Sequence, residues 1–469
     1  MNTAPVELSS LIEVRPEVVW LHPEDGDQAY AFYRAPDGTC KSQAISALDV
    51  RFLECLDGSR SKSDILAKLD ISADHFDEIF ARFVSFAPKS FGVRSGDPAL
   101  ALKRHKSISA AVELRDIWAA MSAGQDENEG FHKTGLDDAQ TQFDSVETTL
   151  SHSYRVPTTA LSNQSYGAAF CDWLLQHGWI KPHAKLMEVG CGIGYFAEAV
   201  LTALSQKRPD LYDTISYTMF DLSPELASAQ RQTCAAHLGK IRAVHGNIET
   251  YDFGDEQFDL VISNEVIADL SVARFSVAEV HANTPSTEAA RLALKYDLAL
   301  PQSVKGAHAS ALLNLGAIRF VESLAQCLSP EGNAILTEYG TLDRSPRAVH
   351  FLNHLEFSVQ FEHLNAIAQQ IGFQTKLQTL GDMLNFDESY SPLDTASFHI
   401  LSGAVLPFLQ KPALPHLAYS HAMLEEAIGP DIHHVKNLVF RPLTDSRAFT
   451  PFRFFALALQ KPAEAEPLA

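Results

Sequence analysis

The sequence predicts an α/β protein: a doubly wound, mainly parallel sheet over residues 156–469, preceded by a smaller α+β domain over residues 1–95. Three observations carry this. From residue 166 onward, short apolar runs alternate with helical patterns, as strand–helix–strand units around a parallel sheet require. The first of those runs ends in three glycines at every second position, in the stretch EVGCGIG, and a helical pattern follows at once. The residues before 95 follow another pattern, with alternating β-like segments first and capped helices after them.

In the first domain, LIEVRPEVVWLHP and QAYAFYRAPDGTCKSQAIS read as strands, with PEDGD and PDGT as turns between them. Leu48, Phe52, Leu53 and Leu56 then recur at helical spacing. DGSRSKSD breaks that helix, and Ser61, three residues before Asp64, opens the next with a capping-box pattern. The run ALDVRFLECLDGSRSKSDILAKL, with Asp57-Gly58 closing one helix and Ile65 and Leu69 on the next, resembles the PqqD-like leader-peptide recognition domain of ribosomal peptide maturation enzymes. The resemblance implies a winged helix that takes a precursor's leader as an added strand, between its third strand and a helix. A plain winged helix used for oligomerisation or DNA binding is the alternative, and the acidic charge of the chain speaks against DNA.

Residues 96–155 read as a helical linker or lid, helical at first and then polar and turn-rich. The larger domain begins at 156. YGAAFCDWLLQHG is a helix, AKLMEVG a strand, GYFAEAVLTALSQK a helix and TISYTMFDLS a strand. PELASAQRQTCAAHLG is a helix opened by proline, IRAVHGN and FDLVISNEV are strands, RFVESLAQCLSP is a helix and GNAILTEYG a strand. FEHLNAIAQQIGF is a helix and FRFFALALQ the last strand. Residues 268–318 form a long insertion beside the strand ends, a place where acceptor-binding elements are common.

Bulk properties narrow the function. The 469 residues carry 37 basic and 58 acidic side chains, a net charge of −21. Such a field disfavours a nucleic-acid backbone as a general partner and tolerates a neutral or basic peptide. No apolar run reaches the roughly 18 residues of a membrane span. The start, MNTAPVELSSLIEV, lacks the basic and apolar segments of a signal peptide. Cys40, Cys55, Cys171, Cys191, Cys234 and Cys327 show neither C-x-x-C pairs nor zinc spacing. The expectation is a cytoplasmic protein with reduced thiols, no metal and no membrane partner, with a homodimer left open.

The glycine loop sets the cofactor. Gly190, Gly192 and Gly194 let the chain turn tightly and let a ligand touch the backbone. A dinucleotide site calls for G-x-G-x-x-G; this loop reads G-C-G-I-G-Y, and Glu188 precedes it. A carboxylate there repels pyrophosphate and suits a cation such as the ammonium group of S-adenosyl-L-methionine. Asp221, followed by Leu222 at the end of the next strand, is an acceptor-only group suited to two ribose hydroxyls. Asn247, followed by Ile248, is placed for the adenine edge, and Asn264 faces the methyl end. The order E-x-G-x-G-x-G, then D, then G-N resembles the class I S-adenosyl-L-methionine-dependent methyltransferases, which implies a Rossmann-like fold and S-adenosyl-L-homocysteine as product.

A narrower likeness lies in TTALSNQSYGAAFCDWLL, SNEVIADLSV, ILTEYG and HLEFSVQFEHLNAIAQQIGF, which resemble the MidA-type family over roughly residues 155–460. Its mitochondrial member methylates a protein arginine during complex I assembly. The family pattern N-E-x-x-D-x-L-P-V keeps Asn264 and Glu265 here, moves its acid one place later to Asp269, and has Ser271 where proline is usual. D-Y-G becomes Glu338-Tyr339-Gly340, and GTLDR is a partial echo of the basic element that follows.

Asn264 and Glu265 are the expected catalytic pair. An amide or guanidinium nitrogen has a delocalised lone pair. An Asn carbonyl and a carboxylate that accept its N–H groups turn the nitrogen and receive its proton. Asp269 and Tyr339 are secondary candidates, and His281, His433 and His434 are candidates for proton transfer. No acid cluster of the kind a guanidinium favours is legible. The expected function is N-methylation of a precursor peptide held through its leader, on an Asn amide first and an Arg guanidinium second. The alternatives are a MidA-like arginine methyltransferase acting on a folded protein, with an N-terminal dimerisation domain, and a non-catalytic assembly factor.

Overall fold

The computed structural model describes residues 10–14, 18–22, 28–34, 39–87, 91–94, 150, 155–300, 310–342, 345–351, 354–411, 414, 421–445 and 450–463. Most of the linker expected at 96–155 lies outside them. The described residues form two compact units, one within 10–94 and 388–445, the other within 150–387 and 450–463.

In the first unit, β1 (Leu11–Val14) pairs antiparallel with both β5 (Asp57–Ser61) and β6 (Phe91–Arg94). Helices α1 (Ala47–Leu53), α2 (Lys62–Leu69) and α3 (Ala73–Phe86) pack beside this sheet. Ser46 and Ser61 cap the first two helices, each in a complete capping box with Asp49 or Asp64. Each box satisfies backbone N–H groups that would otherwise lack partners, which is why the helices start there. DGSRS, read from sequence as a breaker, is β5, because β1 supplies it with a partner.

A second sheet has the order β18-β2-β3-β4, from Val435–Lys436, Val18–Leu21, Ala29–Arg34 and Cys40–Ile45. All of VVWL is buried. Val18, Trp20, Ala31 and Tyr33 face the core of α1–α3, whereas Val19, Leu21 and Phe32 face Leu401, Val405, Leu406 and Leu424. A strand covered on both faces loses the polar half of its alternation. Residues 388–445, which the sequence reading places with the larger domain, supply that second cover.

The second unit holds a sheet ordered β17-β19-β13-β10-β7-β8-β9. Its strands are β7 (Lys185–Val189), β8 (Ser216–Asp221), β9 (Ile241–His245), β10 (Phe258–Asn264), β13 (Leu328–Thr341), β17 (Gln374–Thr379) and β19 (Phe454–Gln460). The five strands from β13 to β9 are parallel, and β19 runs antiparallel between β13 and β17. This is the Rossmann-like sheet that the sequence predicts. From β7 the chain builds outward through β8 and β9, then returns to lay β10 on the other side. The order therefore reverses at β7 and β10, where such sheets bind ligands at their carboxyl ends.

The insertion forms β11 (Ala273–Ser276), β12 (Ser310–Leu313) and the helices Val277–His281 and Glu288–Lys295. Phe275, Ala290, Leu292, Ala293 and Leu313 are buried in the same core as the sheet. The described part of the insertion is thus a packed layer. Further on, β14 (Ala348–Phe351) and β15 (His354–Phe357) form a hairpin, and β16 (Val359–Gln360) pairs with β13. No described helix is long and apolar enough to cross a membrane, and no described cluster of ligating side chains is placed to hold a metal.

Candidate functional site

Register brings the predicted residues to one edge of the sheet. Val189 lies opposite Phe220 and Ser263, Asp221 opposite His245, and Asn264 opposite Thr337. The loop after β7 is left-handed at Gly190, Gly192 and Gly194, with φ of 70°, 50° and 91°. A Cβ on Gly190 would stand 2.2 Å from Val266 Cγ2, in the turn after β10. The glycine is required both by its φ and by that close approach. Gly194 also opens the helix Tyr195–Lys207 with no side-chain cap, so the positive end of that helix is turned to the loop.

Asp221 ties this loop to β8. Its Oδ2 accepts the Gly192 N–H at 2.9 Å and its Oδ1 the Ser223 N–H at 3.0 Å. A buried carboxylate at that point supplies the acceptor-only chemistry that a ribose diol needs. Leu222 is half-buried in the turn that follows. Asn247 Oδ1 accepts the Glu249 N–H at 2.9 Å, and Ile248 is buried in the core of the sheet. Glu249 in turn accepts the Ser271 N–H at 2.7 Å and the Ser271 hydroxyl. The serine in place of the usual proline thus clamps the predicted adenine loop to the start of the insertion, and a proline has no N–H to donate there.

Glu188 is buried, with the Tyr217 hydroxyl donating to its Oε2 at 2.8 Å. Burial pushes its carboxyl up to about 8; the tyrosine bond opposes this, and the nearby Asp221 adds to it. At neutral pH it keeps its proton, whereas the sequence reading takes it as a charged partner for an ammonium group. The reason is that the strand interior removes the water that would stabilise the charge.

At the end of β10, Glu265 adopts φ 57°, a left-handed backbone rare for a side chain with a Cβ. Such conformations concentrate at functional sites. Its N–H donates to Thr337 O at 2.9 Å, and its Oε2 accepts the Leu150 N–H at 2.9 Å. Asn264 Oδ1 accepts from the Tyr166 hydroxyl at 2.7 Å and the Thr337 hydroxyl at 2.9 Å, and its Nδ2 donates to Glu265 Oε1 at 3.3 Å. The expectation that the Asn264 carbonyl accepts an incoming N–H is therefore corrected: both its lone pairs are engaged.

The structure also gathers acids that the sequence scatters. Glu338 is buried, and its carboxyl is held well above the usual range by burial first, then by repulsion from Glu356, Glu265 and Asp269. Its oxygens accept the Ala268 N–H at 3.2 Å and the Tyr339 N–H at 2.7 Å. An acidic group beside the site, absent from the sequence reading, is thus present. Tyr339 itself accepts a bond from Arg453 at 3.0 Å. His281 is exposed on the insertion, and His433 and His434 belong to the first unit. Sequence reasoning missed Tyr166 and Glu338 as site residues, although SNQSYG and ILTEYG, which contain them, are among the segments of the narrower resemblance.

Residues 166–353 match a family model described as "Putative S-adenosyl-L-methionine-dependent methyltransferase". Among the curated proteins, none matches the chain. Solved structures resemble it at low identity. A TehB-like S-adenosyl-L-methionine-dependent methyltransferase from Corynebacterium glutamicum is 15% identical, with 46% of this chain and 78% of that chain covered and a TM-score of 0.25. An uncharacterised protein from Burkholderia thailandensis is 15% identical, with coverages of 79% and 95% and a TM-score of 0.41. A phosphoethanolamine N-methyltransferase from Haemonchus contortus in complex with S-adenosyl-L-methionine is 11% identical, with coverages of 71% and 60% and a TM-score of 0.36.

The matched span contains every cofactor contact read from the sequence. The site also fits that cofactor: a glycine loop without room for side chains at Gly190 and Gly194, a helix start with no side-chain cap, and an acceptor-only Asp221. The larger unit is accordingly that of an S-adenosyl-L-methionine-dependent methyltransferase.

Proposed function

We propose that this methyltransferase N-methylates side chains of a ribosomally made precursor peptide, an Asn amide in preference to an Arg guanidinium, while the first unit holds the peptide's leader. The observation that carries the choice of amide is the Asn264–Glu265 pair, an N–H donor beside a carboxylate. A primary carboxamide offers the matching edge, a C=O beside an NH₂, whereas a guanidinium has donors only. The cofactor supplies a methyl group already activated on a sulfonium. The protein's part is to align the amide nitrogen and receive its proton at the Glu265 carboxylate.

Leader docking is supported by β4, the terminal strand of its sheet among the described residues, with Lys41, Ser42, Gln43 and Ala44 exposed. At the other side of the sheet β2 is already paired with β18, a strand of two residues. A docked leader raises the local concentration of the core peptide. A second reading, a guanidinium acceptor on a peptide or a folded protein, is favoured by the carboxyls of Glu356, Glu265 and Asp269 gathered around the buried Glu338.

The test is mass spectrometry with fragmentation after incubation with labelled cofactor and a candidate precursor peptide that carries a leader. Methyl groups on Asn are expected, and the isolated leader should compete. Methylation confined to Arg would establish the second reading, and an unmodified peptide would remove the peptide assignment.

A further inference from the structure

The orientation of the Asn264 amide is fixed by its neighbours. Were its oxygen and nitrogen exchanged, a carbonyl would face the Glu265 carboxylate across 3.3 Å, acceptor against acceptor. With the amide as it stands, the Tyr166 and Thr337 hydroxyls fill both lone pairs of Oδ1. Asn264 can then act on a substrate only through its N–H groups. Tyr166 is held rigidly for this. It is buried at the start of the helix Tyr166–Gln176, and its ring packs against Phe170 at 6.1 Å and Phe196 at 5.9 Å. Burial first, and then repulsion from Glu265, raise its hydroxyl well above the usual tyrosine range, so it remains a donor at any working pH.

We propose that Tyr166, assisted by Thr337, is a specificity-determining positioning residue: by filling the Asn264 carbonyl it turns Asn264 into a pure donor and selects a carboxamide over a guanidinium. The inference rests on the proposed reading of the site as a side-chain N-methyltransferase. Without the Tyr166 hydroxyl, a lone pair of Oδ1 becomes able to accept, and an all-donor guanidinium is no longer excluded at that edge.

The experiment uses the full chain and its Tyr166→Phe, Thr337→Val and Asn264→Asp variants. In protein labelled with ¹⁵N at asparagine, the Asn264 side-chain amide signals are identified by their loss in Asn264→Asp. They should shift in Tyr166→Phe, while affinity for S-adenosyl-L-homocysteine changes by less than about twofold, since the lost bond is neutral and the glycine loop and Asp221 keep theirs. Two acetylated peptides differing only in one Asn or Arg then read specificity. The wild type should favour Asn, and Tyr166→Phe should lower that preference roughly tenfold, through kcat and not through the cofactor KM. In the Asn264→Asp background, Tyr166→Phe should not change the Asn-to-Arg ratio. Equal losses on both peptides, unmoved amide signals or a matching loss of cofactor affinity would each overturn the proposal. If the wild type modifies neither peptide while the signals still move, the substrate reading fails and the hydrogen-bond role of Tyr166 stands. Thr337→Val removes the other donor and is read in the same way if Tyr166→Phe does not fold.

Discussion

Replacing Glu188 by Gln should make the protein less sensitive to rising pH. The wild-type carboxyl moves from 4.5 in the unfolded chain to about 8 in the folded one. Below pH 4.5 it is protonated in both states, and its favourable contribution is complete. Between 4.5 and about 8 only the unfolded chain releases the proton, so stability falls as pH rises; above about 8 the loss is complete. At about 1.4 kcal/mol per pH unit, this span sets an upper bound of about 5 kcal/mol. Gln keeps an oxygen for the Tyr217 hydroxyl, which donates at 2.8 Å, and has no proton to lose. Urea unfolding of both proteins from about pH 5 to about pH 9 should show their stability difference growing by several kcal/mol in favour of Gln. Glu338 titrates in the same direction and cancels in the difference. Parallel pH curves would refute the claim that Glu188 is buried as a neutral acid. If Glu188 meets the cofactor's ammonium group, binding near neutral pH also releases a proton. Calorimetry with S-adenosyl-L-homocysteine in buffers of different ionisation heat would detect it in the wild type and miss it in Glu188→Gln.

Gly190→Ala should destabilise the larger unit by about 2–4 kcal/mol, from the left-handed backbone and the new Cβ together. Val266→Ala in the same chain should recover part of this in thermal melts, because Val266 Cγ2 is the atom met at 2.2 Å; no recovery would assign the cost to φ alone. Asp221→Asn should weaken S-adenosyl-L-homocysteine binding roughly 10- to 100-fold by calorimetry, as loss of a charged acceptor predicts. An affinity within about twofold of wild type would remove Asp221 from the ribose site.

Local signals were legible because they depend on neighbours in sequence. The capping boxes at Ser46 and Ser61 each close within three residues. The glycine loop needs no partner to declare its conformation, and buried parallel strands show as uninterrupted apolar runs. The proline-led helix after β8 was less legible: it is broken into Pro224–Leu226, Ala227–Thr233 and Ala235–His237. β17 was missed, because QTKLQT alternates weakly and depends on β19, far along the chain, to pair with it.

By itself, then, the sequence determined the sheet-and-helix alternation, the nucleotide loop and the identity of Asn264 and Glu265 as the pair at the end of β10, since periodicity and loop chemistry are properties of short segments. Only the tertiary structure decided what that pair touches. Tyr166 and Thr337 reach Asn264 from 98 and 73 residues away, and the acids near Glu338 come from separate strands and turns. It also decided that residues 388–445 complete the first unit, where an apolar sheet face needed a cover. Hydrogen-bond polarity and burial depend on which groups meet, and contacts between distant segments leave no local trace in the order of residues.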